Sequence, residues 1–238
     1  MRGAEIFVNL HTFYIVATYM NDKRLSKSLD PLPEPTLRRL PWYLAFVSML
    51  RAESVEYVSS TRIAEELHVD ASQIAKDLSF LNIKGKTRIG YEVASLEDAL
   101  RFFLGFSSRH DAIIVGAGSL GGALMQDSGL QRYGLNIVAG IDNDPKLAGH
   151  KIAGIPVYSP QHLSDLIKRL EITIGIITVP VESAQAVADS LVGAGVKAIW
   201  NFTPVRIRVA EGVVVTNTSI YSHLAVMYNR LLSNHSDF

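Results

Sequence analysis

Apolar positions along this 238-residue chain follow two rhythms, and the change between them falls near residue 106. Leu37, Leu40, Tyr43, Leu44, Val47 and Leu50 recur at steps of three and four, which predicts a helix of about four turns with one apolar stripe. Pro31, Pro33 and Pro35 precede it, and Thr36 is its predicted N-cap. Ser59-Ser60 caps a second helix over residues 61–67, and His68-Val69-Asp70 makes a short turn. A third helix follows over 71–81, with Ile74, Leu78 and Leu81 facing inward. Residues 84–93 then read as a small hairpin around Gly85 and Gly90, and 96–106 as a connecting helix. Helices with a tight turn between the second and third, followed by a basic hairpin, form a winged helix-turn-helix.

Beyond Asp111 the rhythm changes to short unbroken apolar runs at 112–115, 136–141, 172–179, 198–201 and 213–216. Such runs suit strands covered on both faces, and they alternate with helical stretches such as 183–193. The predicted class is therefore α/β: an N-terminal winged helix-turn-helix, then a Rossmann-like doubly wound parallel sheet, then a C-terminal helix. The expected division is an extension or linker at 1–34, a winged-helix domain at 35–106, a nucleotide-binding domain at 107–218 and a dimerisation helix at 219–238. That last helix places Leu224, Met227, Tyr228 and Leu231 on one face, against its own domain or a twofold partner.

The chemistry sits where the first strand of the sheet turns into a helix. Gly116-x-Gly118-x-x-Gly121 follows the run 112–115, and Asp142 comes twenty-one residues after Gly121. Gly116 permits the tight turn, Gly118 lets a pyrophosphate approach the backbone, and Gly121 lets helix and strand pack closely. Ala117, Ser119 and Leu120 complete a loop whose N–H groups face the phosphates at a helix N-terminus. Asp142 is placed to accept the ribose hydroxyls of an adenosine. Asn143-Asp144-Pro145 supplies no cation for a 2′-phosphate, so the expected cofactor is NAD(H) rather than NADP(H). Ligands of such sheets lie beyond the strands' carboxyl ends, which makes Thr178-Val179-Pro180 and Asn201-Phe202-Thr203-Pro204 candidate cofactor walls. Asn201 has a second reading, closure of its own loop.

In the N-terminal part, Ser60, Ser72, Gln73 and Lys76 are the candidates for DNA contact from the helices. Glutamine can pair bidentately with adenine, and Lys76 suits a phosphate or guanine. Lys84, Lys86 and Arg88 on the hairpin suit phosphates or the minor groove. A solvated charged face or a protein-contact surface is the alternative for this cluster. Lysines plus arginines equal aspartates plus glutamates at 23 each, so DNA binding must rest on such local patches. There is no cysteine, which removes disulfides, thiolate nucleophiles and thiolate metal sites and suits a reducing cytoplasm. The apolar segment at 6–20 is too short and polar to span a membrane and lacks a signal-peptide cleavage pattern. Either Met20 is the true start, or the segment packs on a partner.

A DNA-reading module joined to an NAD-binding sheet resembles the Rex family of redox-sensing transcriptional repressors. The resemblance covers about residues 35–232. It rests on Arg39-Leu-Pro-Trp-Tyr43, Val58-Ser-Ser60, Lys76-Asp-Leu-Ser79, Gly90-Tyr91 and Val115-Gly-Ala-Gly-Ser-Leu-Gly121 in the first half of the chain. Asp142-x-Asp-Pro145, Thr178-Val-Pro180, Ala184-Gln185, Ala194-Gly195 and Asn201-Phe-x-Pro204 carry it further. The resemblance implies double-stranded operator DNA as partner, a homodimer with exchanged C-terminal helices, and release from DNA when NADH binds. Neither metal nor membrane is implied. The chain departs from the family's Arg-Lys-Asp-Leu at Ala75, from its Arg-Gly-x-Gly-Tyr wing at Thr87-Arg88, and from its usual Asn at Ser119. By register, an Arg, a Tyr and an Asp that form the switch in some members correspond to Ala45, Asp127 and Ser219. These changes lead to an expectation of weakened operator affinity and redox discrimination. They leave room for a paralogue acting through protein partners. A dehydrogenase is the other rival, but His150 and His162 lie in what reads as a peripheral crossover, without an acid–base partner.

Overall fold

The computed structural model describes residues 32–81 and 83–233, and the readings made for residues 1–31 lie outside this range. The chain divides into two compact units, one ending at Leu104 and the other beginning at Gly105.

The first unit runs α1 (Glu34–Ala52), β1 (Tyr57–Val58), α2 (Ser60–Leu67), α3 (Ala71–Phe80), β2 (Tyr91–Glu92) and α4 (Val93–Phe103). Its core contains most of the predicted inward positions: Leu40, Tyr43, Leu44, Val47, Ile74, Leu78 and Leu81 are completely buried, together with Ile63 of α2 and Leu100 of α4, whereas Leu37, expected in the stripe, is exposed. Three helices begin earlier than the sequence expectation, α1 at Glu34, α2 at Ser60 and α4 at Val93 against an expected 96–106, while α3 begins at Ala71 as expected. Helix α1 starts at Glu34 with Pro33 at the cap, because proline in the first turn gives up only an N–H that has no helical partner. Thr36 is therefore no cap but a buried helical residue whose hydroxyl donates to Asp77. At α2 the cap is Ser59, which accepts from the Arg62 N–H, and Ser60 is the first helical residue. At α3 it is Asp70, which accepts from the Ser72 N–H.

The expected hairpin also contracts. Lys86 and Gly90 form a single antiparallel bridge, and Tyr91–Glu92 pairs instead with Tyr57–Val58. Gly90 makes the crossing possible: at φ +105°, a β-carbon there would collide with the Val58 carbonyl oxygen.

The second unit contains β3 (His110–Val115), α5 (Ser119–Gln126), α6 (Ser128–Arg132), β4 (Leu135–Ile141), β5 (Lys151–Ile152), β6 (Ile155–Tyr158) and α7 (Leu163–Arg169). It continues with β7 (Ile174–Ile177), α8 (Ala184–Ala194), β8 (Ala198–Asn201), β9 (Val214–Asn217) and α9 (Ile220–Ser233). The sheet order is β5-β6-β4-β3-β7-β8-β9. All neighbours are parallel except β5 with β6. Alternation along β3 shows why its run is unbroken. Ala112 and Ile114 join Met125 and Ile176 in one core, while Ile113 and Val115 join Leu166, Ala188 and Leu191 in the other. Both faces are covered, so neither can be polar.

The β5–β6 hairpin was not predicted. Its turn places Ala153 at φ 50° and Gly154 at φ 83°, and the strands beside it are too short to show a period of two. Helix α9 has no buried residue, and Tyr221, Tyr228 and Leu232 are among its most exposed. Ser219 sits at its start, where its hydroxyl oxygen accepts from the Ser222 N–H.

Candidate functional site

Sheet order reverses between β3 and β7, and the carboxyl ends of β3, β4 and β7 open into a cleft of about 660 Å³. This is the switch point at which doubly wound sheets bind ligands. Three glycines shape it in three ways. Gly116 adopts φ +96°, and a β-carbon there would meet the Thr178 carbonyl oxygen at 2.6 Å. Thr178 closes the turn from the other side, its hydroxyl donating to the Gly116 carbonyl at 2.6 Å. Gly121 packs its backbone so tightly that a β-carbon would collide with the Gly116 carbonyl oxygen. Gly118 is different. It caps α5, it is exposed, and a β-carbon there would meet nothing within 4 Å. Its space opens on the cleft it lines. That is the cradle a diphosphate requires: open room beside free N–H groups at a helix start.

Asp142 is already oriented. Its carboxylate accepts from the Ala117 N–H at 2.7 Å and from the Asp144 N–H at 2.9 Å. The two backbone donors fix the side chain at the cleft and leave lone pairs for a pair of hydroxyls.

Asp144, Thr178, Val179 and Pro180 line the same cleft. So do residues that the sequence reading passed over, among them Leu147, Pro160, Gln161 and Ser164. They belong to the segment read as a peripheral crossover, which is in fact one wall. The signal available was Pro160 after the apolar pair Val157-Tyr158, a strand end too short to stand out.

The loop after β8 does not reach the cleft's lining. Asn201 is fully buried; its amide donates to the Val205 carbonyl and Asn217, and its oxygen accepts from the Thr203 N–H and hydroxyl. The structure gives Asn201 the loop-closing role and leaves it no group for a ligand. Phe202 packs on Trp200 at a ring separation of 4.5 Å, and Pro204 is exposed. Ser119 and Leu120 are exposed on the first turn of α5.

In the first unit, Asp77 of α3 organises the packing on α1. It is fully buried and accepts from Arg39 through two bonds of 2.7 and 2.8 Å, from Tyr43 at 2.7 Å, from Thr36 at 3.0 Å and from Gln73 at 2.9 Å. Burial by itself would raise the Asp77 carboxyl; the hydrogen bonds from Arg39, Tyr43, Gln73 and Thr36 outweigh it and hold the group below the usual range. Burial and the bond to Asp77 together push the Tyr43 phenol up. A second buried carboxylate, Glu97 of α4, receives Ser48 and Arg51 of α1. The outcome for the DNA candidates is mixed. Gln73 donates an amide N–H to Asp77, which holds its side chain toward α1 in this arrangement. Ser72, Lys76, Lys84, Lys86 and Arg88 are exposed or partly so, as is Ser60, which leaves a basic rim along α3 and the wing. Among the described residues no helix is long and apolar enough to cross a membrane. Nor does any group of three or more His, Asp or Glu stand together to hold a metal ion.

Comparison with known proteins agrees with this division. Residues 107–205 match a family described as a CoA binding domain, and residues 31–79 match one described as a putative DNA-binding protein N-terminus. The chain is 56% identical over 217 residues to the redox-sensing transcriptional repressor Rex of Bacteroides thetaiotaomicron, covering 90% of this chain and 97% of that one. The chain belongs to the Rex family of redox-sensing transcriptional repressors. The Rex repressor of Treponema denticola is 41% identical over 198 residues, covering 82% of this chain and 94% of that one. Among solved structures, the Rex-family repressor RSP in complex with β-NAD⁺ and operator DNA superposes with a TM-score of 0.82 at 35% identity. That match covers 86% of this chain and 94% of RSP. Rex proteins are regulators rather than enzymes, which removes the dehydrogenase reading.

Two of the three positions where this Rex chain departs from the expected switch have local structural work. Asp127 caps α6 by accepting from the Gly129 N–H at 2.7 Å. Ser219 holds the first turn of α9 through the Ser222 N–H and hydroxyl. Ala45 is exposed on α1 between Trp42 and Met49, which are 61% and 59% exposed.

Proposed function

We propose that this chain is a cytoplasmic, homodimeric repressor that binds operator DNA through its winged-helix unit and leaves it when NADH fills the cleft at β3, β4 and β7. The observation that carries the cofactor half is the juxtaposition of an open-sided Gly118 with a pre-oriented Asp142, the shape and charge that an ADP-ribose needs. Gly116 and Gly118 would hold the diphosphate and Asp142 the ribose. The nicotinamide ring supplies the redox signal when it is bound. What the chain itself contributes is selective binding, and its DNA affinity moves only as far as NADH and NAD⁺ differ in their preference for the two dimer states. RSP, a family member, is described in complexes with β-NADH and with β-NAD⁺ and operator DNA, which supports reading both ligands into one mechanism. The 56% identity to a named repressor along 97% of its length favours a working repressor over a paralogue without a functional DNA half.

The direct test is titration of a palindromic operator-type duplex at fixed salt with saturating NADH and, separately, saturating NAD⁺. Weaker DNA binding with NADH is expected; equal binding in both would refute the switch. The salt dependence reports the rim. Replacing Lys76, Lys84 or Lys86 with Ala should lower the logarithmic salt slope by about one for each phosphate that the lysine neutralises.

The acids at the ribose edge give a separate prediction about ligand choice. Asp142 and Asp144 both line the cleft, and among the described residues no Lys or Arg does. A phosphate on the 2′ or 3′ oxygen of the adenosine would face two carboxylates and no cation. By calorimetry NADPH and coenzyme A should bind at least about tenfold more weakly than NADH, a gap of about 1.4 kcal/mol. Asp142→Ala should weaken NADH without unfolding the protein. Tight coenzyme A binding would mean that this domain uses its acids differently.

A further inference from the structure

Strand order fixes where the base of a bound adenosine falls. In the sheet β6, β4 and β3 are neighbours; the glycine loop follows β3 and Asp142 follows β4. A ribose carries its 5′ phosphate and its base at opposite ends of the ring. With the diphosphate over β3 and the hydroxyls at Asp142, the base lies beyond the end of β6. That strand runs parallel to β4, with Ile141 opposite Tyr158, and the Asp142 N–H donates to the Tyr158 carbonyl at 3.0 Å. The turn that leaves β6, Pro160–His162, therefore stands beside Asp142 on the side away from the glycines.

The turn is tied across its ends and leaves one side chain unused. Ser159 Oγ and His162 Nδ1 lie 3.0 Å apart. Between them, Gln161 lines the cleft, and its amide has no hydrogen-bond partner among the described residues. Leu163, Val179 and Val187 line the same cleft and offer apolar surface to the faces of a ring. A base held between aliphatic groups is read at its edge. Adenine presents there a 6-amino donor next to a ring-nitrogen acceptor, N1 on one edge and N7 on the other. A primary amide complements either pair, because its carbonyl accepts while its N–H donates. The carboxylates of Asp142 and Asp144 have no proton to donate, and a single hydroxyl such as that of Ser164 does not span both atoms. We propose that Gln161 is the base-reading residue of the cleft and selects adenine through its 6-amino group. The inference rests on the cofactor reading above. It adds a base specificity that Gly118 and Asp142, placed for phosphate and ribose, do not supply.

The test is calorimetry on the full-length protein with NADH and with the analogue in which unsubstituted purine replaces adenine. That analogue keeps the ring nitrogens, the ribose and the diphosphate and lacks only the 6-amino group. The native protein should bind it about tenfold more weakly than NADH, because the Gln161 carbonyl loses its donor. This measurement needs no variant. Gln161→Leu should bind NADH about tenfold more weakly than the native protein does and should bind the two ligands equally. Asp142→Ala should weaken both ligands by the same factor and keep the native preference, which separates the ribose contact from the base contact. Equal binding of the two ligands by the native protein would overturn the proposal. So would a preference for NADH that survives in Gln161→Leu, because another group would then read the base. Failure of the native protein to bind NADH at all would instead remove the cofactor reading itself.

Discussion

Gly118→Val should abolish NADH binding and leave the fold intact; Gly121→Ala should damage both. The two glycines are three residues apart in one motif, yet their surroundings differ completely. A β-carbon at 118 meets no protein atom within 4 Å beside the cleft, so a valine there should place its methyl groups in the volume a diphosphate would need. The expected loss is at least about a hundredfold in affinity, about 2.7 kcal/mol. A β-carbon at 121 meets a carbonyl oxygen that cannot retreat, because the Gly116 carbonyl also accepts the Thr178 hydroxyl. Helix α5 must then move off its strand, at a cost of about 1–3 kcal/mol or more in stability. Calorimetry with NADH and thermal melting of both variants separate the cases. Normal NADH binding by Gly118→Val would mean the cofactor does not lie on this loop.

Asp77→Ala should be the most destabilising single change in the first unit. It leaves the Arg39 guanidinium, the Tyr43 hydroxyl and the Thr36 hydroxyl without their shared acceptor, and two of those groups are buried. Breaking one side of a buried ion pair costs about 3–5 kcal/mol. Operator binding should disappear with it, since Asp77 is what ties α3 to α1. NADH affinity should stay unchanged, because the cleft lies wholly in the second unit. Denaturant unfolding followed by a probe in the first unit measures the effect; a change below about 1 kcal/mol would show that the network is redundant.

The same network sets an acid limit. Asp77 and Glu97 are both held below the ordinary carboxylate range in the folded chain. A depressed folded-state pKa contributes stability that is complete above the unfolded value and lost as pH falls through the folded one. The first unit should therefore hold its stability down to the ordinary carboxylate range, near pH ~4, and lose it progressively below that.

Much of this was legible from local pattern. Helical stripes place Leu40, Tyr43, Leu44 and Ile74 in one core because burial of one helix face repeats at three and four residues. The unbroken runs at β3 and β7 report strands covered on both faces, and a GxGxxG beside such a run, followed at a set distance by an acid, is a local signature of a strand–turn–helix. These features depend on residues close together in sequence, so sequence by itself determined the α/β class, the helix-turn-helix and the site of Gly116, Gly118, Gly121 and Asp142.

Tertiary structure alone decided which side chains remain available. Gln73 has the chemistry to read a base, but its amide is drawn to a buried carboxylate whose partners on α1 lie thirty-four to forty-one positions away. Asn201 stands in a loop at the correct end of a strand, but Thr203, Val205 and Asn217 saturate it. Leu147 and Pro160 carry no motif and become cleft walls only because β6 lies beside β4. Periodicity records which face of an element is buried. It holds no record of which polar group at long range claims a hydrogen bond, because that depends on contacts made only when distant segments meet.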